Sequence, residues 1–199
     1  MRRYRETLVI VGINGVAESG KDTLGTICAQ SWGCKRLAFA TRMKEFALAV
    51  DPWVPIDPLQ NPQAFNTRGQ FTRLSIMVEA IGWDMAKKNP EVRRLLQAIG
   101  TEGGRETLDP DLWIKQVRPL LRKGRNYVIT DVRFLNEAEF VRNHGGIVVR
   151  VERPGFGPAL GHVSDVHNDS LWDIVIHNDG TVDDLRKRAI DLLGEYFDT

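Results

Sequence analysis

The sequence predicts an α/β fold: a mostly parallel five-stranded sheet with helices on both faces, three layers in all, carrying a helical insertion. Three observations predict it. Apolar runs of strand length alternate with longer runs of helical periodicity. A glycine-rich turn joins the first strand to the first helix. One long, mostly helical stretch, about 41–125, separates the second strand from the third.

The elements follow in order. Thr7-Leu8-Val9-Ile10-Val11-Gly12 is apolar and one strand long. A helix runs from Thr23 to about Ser31, with Gly33 as its stop. Arg36-Leu37-Ala38-Phe39-Ala40 is a second short strand. Met43, Phe46, Ala47 and Val50 recur at helical spacing, so Arg42 to Val50 is a helix. Pro52, Pro55, Pro58 and Pro62 make Asp51–Gln70 a long loop. Helices are predicted from Leu74 to Ile81 and, opened by Pro90, from Glu91 to Ile99, with Val92, Leu95, Leu96 and Ile99 as the apolar stripe. Gly100-Thr101-Glu102-Gly103-Gly104-Arg105 should interrupt that helix. Asp109-Pro110-Asp111 caps another, Leu112 to Leu121.

Strand–helix alternation then resumes. Strand Tyr127–Val132 leads to helix Asn136–Asn143, stopped by Gly145-Gly146. Strand Ile147–Val151, loop Pro154–Asn168, strand Ile174–Ile176 and helix Val182–Phe197 complete the chain. Such alternation implies right-handed crossovers and parallel pairing. A single domain is expected, with its core at about 7–40 and 126–199. The insertion at about 41–125 is where a substrate-binding element would go.

Bulk properties narrow the class. The 199 residues suffice for one full core. A net charge of +1 with 42% hydrophobic residues suits a soluble globular chain and offers no strong field for DNA or a membrane surface. Cys28 and Cys34 are too few for a disulfide framework, which fits a reducing, cytoplasmic setting. Met1-Arg2-Arg3-Tyr4-Arg5 is basic, but the apolar run after it is too short for a signal peptide or a membrane span. Lys115, Arg118, Arg122, Lys123 and Arg125 read as a solvated helix face rather than a nucleic-acid site.

Gly15-Val16-Ala17-Glu18-Ser19-Gly20-Lys21-Asp22-Thr23 has the Gly-x4-Gly-Lys spacing of a phosphate-binding loop, or P-loop. It stands between a strand and a helix, as that motif requires, which argues against a chance match. Gly15 and Gly20 let backbone approach phosphate. The N–H groups of the loop, from Ala17 through Gly20, and the helix N-terminus then face the anion. Lys21 reaches the β- and γ-phosphates as a point charge. The residue after the lysine is ordinarily Ser or Thr; here it is Asp22, then Thr23. Either Asp22 holds Mg²⁺, directly or through water, with Thr23 bonding phosphate, or Asp22 only satisfies first-turn amides and the helix dipole.

Further candidates are read against that loop. Asp131 ends an apolar strand, where a P-loop enzyme can hold Mg²⁺ through water; the plainer reading is a cap. Arg133, two residues on, points to the same side of the strand. It could stabilise transition-state charge, or pair with Asp131 or Glu137. Arg150 and Arg153 flank the fourth strand's end and could clamp donor phosphates or adenine, or make surface pairs. Lys44, Arg68, Arg73, Glu79 and Arg105 lie in the insertion, where an acceptor monophosphate needs cations and a base needs polar groups; each alone is a surface charge. Trp83 and Trp113 could stack on a base or belong to the core. His162, His167 and Asp165 do not make a convincing zinc set.

Taken together these residues resemble the deoxynucleoside monophosphate kinase family of tailed bacteriophages. The resemblance rests on Ser19-Gly20-Lys21-Asp22-Thr23, Phe39-Ala40 leading to Lys44, Gly82-Trp83-Asp84 and Pro90-Glu91-Val92-Arg93-Arg94-Leu95-Leu96-Gln97. It continues through Gly100–Arg105, Thr130-Asp131-Val132-Arg133-Phe134-Leu135-Asn136-Glu137 and His162-Val163-Ser164-Asp165. It implies an ATP- and Mg²⁺-dependent P-loop kinase acting on deoxynucleoside monophosphates for phage DNA synthesis, in the cytoplasm of the host cell. It implies that Lys21, Asp22 and Thr23 carry donor phosphates and metal. Lys44 and the Thr101–Arg105 segment would approach the acceptor, and Asp131, Arg133 and Glu137 would line the reaction centre. Many relatives have Asp-Pro where Arg42-Met43 stand and glutamate where Asp165 stands, which bears on acceptor identity. Two other readings compete: a kinase of another small acceptor, such as dephospho-coenzyme A or a modified-base nucleotide, and a non-catalytic nucleotide switch. No nucleic-acid or membrane partner is expected. A homodimer is allowed, though nothing in the sequence fixes the oligomeric state.

Overall fold

A computed structural model describes residues 8–56, 71–156 and 169–198. In chain order its elements are β1 (Ile10–Asn14), α1 (Lys21–Trp32), β2 (Lys35–Leu37), α2 (Phe39–Val50), β3 (Trp53–Pro55), β4 (Phe71–Arg73), α3 (Leu74–Ala86) and α4 (Pro90–Gln97). A π-helical segment, Ala98–Leu108, leads to α5 (Leu112–Val117), β5 (Tyr127–Ile129), α6 (Leu135–Asn143), β6 (Ile147–Glu152), β7 (Ile174–His177) and α7 (Val182–Asp198). Contacts divide the chain into two compact units: residues up to Phe39 together with those from Ile114 onward, and Ala40–Trp113. Residues 114–125, expected in the insertion, thus group with the sheet.

In the first unit five strands form one sheet in the order β2-β5-β1-β6-β7. Every neighbouring pair is parallel, so the expected fold class is observed with the whole sheet parallel. β1 shows how the layers arise, because successive side chains point to opposite faces. Val11 and Ile13 join Leu24, Ile27 and Cys28 of α1 and Leu185, Ala189 and Leu193 of α7 in one buried cluster. Gly12 faces the other side, where Val141 of α6 packs so closely that a Cβ on Gly12 would lie 3.1 Å from it. Burying each such aliphatic side chain stabilises the fold by about 1.5–3 kcal/mol. Trp32 closes the first layer by stacking on Phe197, ring centroids 4.4 Å apart.

The second unit packs Ala47, Val54, Leu74, Met77, Ala86, Val92 and Leu96 into its own core, with Leu95 and Ile99 partly buried against it. Asn89 ties it together. Its Oδ1 accepts from the Glu91 and Val92 N–H groups at the start of α4, and its Nδ2 donates to the Pro55 carbonyl at 2.8 Å.

Five expectations need correction. Phe39 and Ala40 open α2 rather than ending β2. The Phe39 N–H donates to Asp131 Oδ1 at 2.8 Å, a cap supplied from 92 residues away. The stretch from Asp51 is not all loop: Trp53–Pro55 pairs antiparallel with Phe71–Arg73, a two-stranded edge on which proline is tolerated. The Gly100–Arg105 stretch does not break the helix but widens it. The Asp109 N–H bonds the Gly104 carbonyl five residues back, and a Cβ on Gly104 would stand 2.5 Å from the Ile99 carbonyl, so only glycine accepts this turn. Finally, β5 ends at Ile129 and residues 130–131 turn, so Asp131 and Arg133 are not related by strand alternation. α3 runs past Ile81, but Gly82 takes φ 72°, ψ 164° there, a kink at the expected helix end.

Candidate phosphate-binding site

The loop from Gly15 to Gly20 leaves the carboxyl end of β1 and enters α1 at Lys21, the edge at which ligands bind in open α/β sheets. Its backbone is tightly folded. Ser19 N–H bonds the Val16 carbonyl at 3.3 Å and Leu24 N–H bonds Gly20 O at 2.9 Å. Glu18, exposed at the apex, has φ 63°, and Gly20 has φ 103°. A left-handed residue with a side chain costs roughly 1–2 kcal/mol, and such strain concentrates at ligand sites. A Cβ on Gly15 would stand 2.5 Å from Ser19 Oγ and 3.0 Å from the Val151 carbonyl, so this close approach requires glycine.

Lys21 curls back over the loop, its Nζ donating to Val16 O at 3.3 Å, with its side chain 19% exposed. Ser19 is fully buried, and its Oγ has no hydrogen-bond partner among the described residues. Leaving a buried hydroxyl unmatched costs about 1–3 kcal/mol. Asp22 points outward, 71% exposed, its Oδ1 3.2 Å from Arg36 and its Oδ2 3.9 Å from Lys21. Among the described residues its carboxylate bonds no first-turn amide, while its place in the first turn of α1 is favourable to the helix dipole. Thr23 follows on α1, half-buried. Arg153 reaches the loop from the end of β6, donating to Glu18 O at 3.3 Å, with its guanidinium 4.8 Å from the Phe156 ring centroid.

The turn after β5 lies beside this loop. Val132 N–H donates to Ile13 O, and Asn14 Nδ2 donates to Val132 O at 2.7 Å. Asp131 is half-buried and holds the Phe39 amide. Arg133 is exposed, and its guanidinium has no ion pair among the described residues. Glu137 is 1% exposed. Its Oε2 accepts from the Arg133 and Phe134 N–H groups at 2.7 and 3.0 Å, while Glu137 N–H returns to Phe134 O. That is a helix-start carboxylate turned into the backbone of α6. Arg150 is likewise engaged internally. It bonds Glu152 Oε1 and Asn14 Oδ1, each at 2.8 Å, and lies 4.3 Å from the Trp172 ring centroid.

The second unit holds the remaining candidates. Lys44 Nζ lies 5.6 Å from the Trp83 ring centroid. A Cβ on Gly100, next to Thr101, would stand 2.6 Å from the Met43 sulfur, so α2 lies against the π-helical segment there. Arg105, half-buried, donates to Pro110 O at 3.2 Å. Arg73 donates to Asp51 O at 2.9 Å and covers the Trp53 ring at 4.5 Å, bracing the hairpin. Glu79 is exposed. Trp113 is 6% exposed and donates to Gly100 O, which makes it core. Arg68, His162, Asp165 and His167 lie outside the described residues. Among the described residues no group of three or more His, Cys, Asp or Glu could hold a metal, and no helix is long and apolar enough to cross a membrane.

Sequence reasoning missed Asn14, Arg36 and Asn178. Asn178 Nδ2 donates to Ser19 O at 2.8 Å from across the sheet. Asn14 and Asn178 each stand at a strand's carboxyl end, the signal that could have found them.

A family model described as deoxynucleotide monophosphate kinase matches residues 56–189. A protein of Acanthamoeba polyphaga mimivirus, provisionally named deoxynucleotide monophosphate kinase, is 26% identical over 208 residues, covering 92% of this chain and 95% of its own. The deoxynucleotide monophosphate kinase of Escherichia phage RB69 is 31% identical over 108 residues, 51% of this chain and 44% of its own. Similar solved structures include a dephospho-CoA kinase from Campylobacter jejuni, at 15% identity and TM-score 0.42 over 95% of this chain and 97% of that one. Another is TT1252 from Thermus thermophilus, at 18% and 0.45 over 95% and 98%.

Proposed function

Since the chain belongs to the deoxynucleotide monophosphate kinase family, we propose that it transfers the γ-phosphoryl group of ATP to a deoxynucleoside monophosphate. An oxygen of the acceptor's phosphate attacks the γ-phosphorus. The bond to the β,γ-bridging oxygen breaks, and its electron pair leaves with ADP. Ser19 carries the donor half of the reading: a fully buried hydroxyl without a partner among the described residues, folded into a glycine-lined loop. A phosphate oxygen in that loop supplies the missing acceptor.

Each residue then has a task. Loop amides and Ser19 Oγ bind the β- and γ-phosphates, and Lys21 neutralises them. Arg153, beside Glu18, faces the same anion or the adenine. Arg133 balances charge as the phosphoryl group moves. Asp22, with Thr23, and Asp131 suit a hard cation with oxygen ligands, and bound Mg²⁺ would neutralise charge on the phosphates. Lys44, Arg105, Thr101 and Trp83 are the acceptor's candidates, with Arg68 and Glu79 further out in the chain. Glu137, Arg150 and Arg73 hold backbone and neighbouring side chains, a supporting role. With viral relatives, the host cytoplasm is the proposed setting.

ADP release should be measured with ATP, Mg²⁺ and each deoxynucleoside monophosphate, modified bases included. Turnover that appears only with a nucleotide acceptor supports the reading. ADP release at the same rate without any acceptor, or only with an unrelated one, would sink it.

A further inference from the structure

Asn178 lies 159 residues from Ser19 in sequence, yet its side chain meets the P-loop. Two bonds of its own fix it there. Its own N–H donates to Glu152 O at 2.7 Å, extending the β6–β7 ladder by one residue. Its Nδ2 donates to Ser19 O at 2.8 Å. Arg188 of α7 braces the turn around it, bonding the His177 carbonyl and lying 2.6 Å from Asp179 Oδ1. The approach to the loop is close: a Cβ on Gly20 would stand 2.4 Å from Asn178 Nδ2.

The peptide between Ser19 and Gly20 is trans, as all are among the described residues. In a planar trans peptide the C=O and the following N–H point in opposite directions. Holding Ser19 O toward Asn178 therefore turns the Gly20 N–H the other way, away from Asn178. Without the clamp, that peptide joins Ser19 to a glycine free to take many conformations. Preorganised donors bind and stabilise charge better than donors that must be ordered first.

We propose that Asn178 is a positioning residue for the donor nucleotide: its side-chain amide sets the Ser19–Gly20 peptide so that the Gly20 N–H faces the phosphates. The proposal rests on the P-loop reading given above. Asn178 touches no phosphate itself.

The test uses the full chain and ADP with Mg²⁺ as the calorimetric probe, with KM for ATP and for the acceptor measured in parallel. Asn178→Ala should weaken ADP binding and raise the ATP KM about three- to tenfold, the size of one neutral hydrogen bond, with the acceptor KM unchanged. Asn178→Asp keeps the shape but presents a carboxylate to the Ser19 carbonyl; it should lose at least as much. A role in packing alone predicts that Asn178→Asp behaves as wild type. Thermal melts confirm that both variants are folded, and if Asn178→Ala is not, Asn178→Asp alone decides. If wild type binds ADP, Lys21→Ala loses it and the Asn178 variants bind normally, the clamp is overturned and the P-loop reading stands. If wild type binds no ADP, both fall together.

Discussion

Asp131 offers a way to separate a structural task from a chemical one at a single side chain. Its Oδ1 accepts the Phe39 N–H at 2.8 Å and thereby starts α2. Loss of such a cap costs about 1 kcal/mol, within a range of roughly 0.5–2. For a chain of this size that is a fall of about 2–4 °C in Tm per kcal/mol. The proposed chemical task, orienting water on Mg²⁺, needs the negative charge. Asparagine keeps an oxygen for the Phe39 amide and removes the charge, whereas alanine removes both. Asp131→Asn should therefore melt within about 2 °C of wild type yet lose about 10–100-fold in kcat/KM, with its Mg²⁺ titration displaced to higher concentration. Asp131→Ala should show the same kinetic loss plus the drop in Tm. Differential scanning fluorimetry and coupled ADP release on the same preparations read both quantities. Wild-type kinetics and an unchanged Mg²⁺ titration in Asp131→Asn would leave Asp131 as a cap and nothing more.

Three further outcomes are expected. Lys21→Ala should reduce single-turnover phosphoryl transfer about 10²–10³-fold, the usual loss for one preorganised electrostatic contact; near-normal turnover in the folded variant would remove the P-loop assignment. Arg105→Ala and Lys44→Ala should each lower kcat/KM for the acceptor about ten- to hundredfold, because a hydrogen bond to a charged group contributes roughly 1.5–3 kcal/mol. ATP affinity in the same samples should hold, and equal loss of both would indicate unfolding or a donor-side role. Burial pushes both Cys28 and Cys34 up from 9.0 to about 12, Cys28 being raised further by Cys34 beside it. Both folded values lie above the unfolded ones, so the thiols leave stability intact below pH 9 and erode it as pH climbs toward 12. Neither should react with iodoacetamide at pH 8 until the chain is unfolded, and rapid native labelling would contradict their burial.

What the sequence disclosed depended on distance along the chain. Strands β1, β5 and β6 were legible because each is a short, mostly apolar run that is buried, as in Val9 to Ile13, whereas β2, Lys35–Leu37, is polar and largely exposed. The P-loop was legible because its glycines, lysine and flanking elements are contiguous. The start of α2 was not, because Ala38-Phe39-Ala40 suits a strand as well as a helix and the deciding cap comes from Asp131. The π-helical segment was not, because glycine usually ends helices and here relieves a clash with Ile99 O. Arg150, read as a phosphate clamp or a surface pair, has partners that its neighbours in sequence do not point to, Asn14 and Trp172. Glu137, placed at the reaction centre by the family resemblance, accepts from the Arg133 and Phe134 amides at the start of its own helix, contacts that the spacing alone does not reveal.

Asp22, in the first turn of α1, is where spacing raises two readings, a metal ligand or a residue serving first-turn amides and the helix dipole. A carboxylate bonded to first-turn amides would have to abandon them to meet a metal. Instead the Asp22 carboxylate is exposed and, among the described residues, meets Arg36 at 3.2 Å and Lys21 at 3.9 Å. An exposed pair such as Asp22–Arg36 contributes about 0–1 kcal/mol, so it competes weakly with Mg²⁺ brought in on a nucleotide. Arg36 is also held by Thr26 at 3.0 Å, which keeps it in place when the carboxylate turns away. The side chain is thus parked beside the loop and available to it. Asp22→Ser, which restores the residue ordinarily found after this lysine, should retain Mg²⁺-dependent turnover, while Asp22→Ala should need more Mg²⁺ for half-maximal rate. Matching titrations for Asp22→Ala and wild type would return Asp22 to the surface.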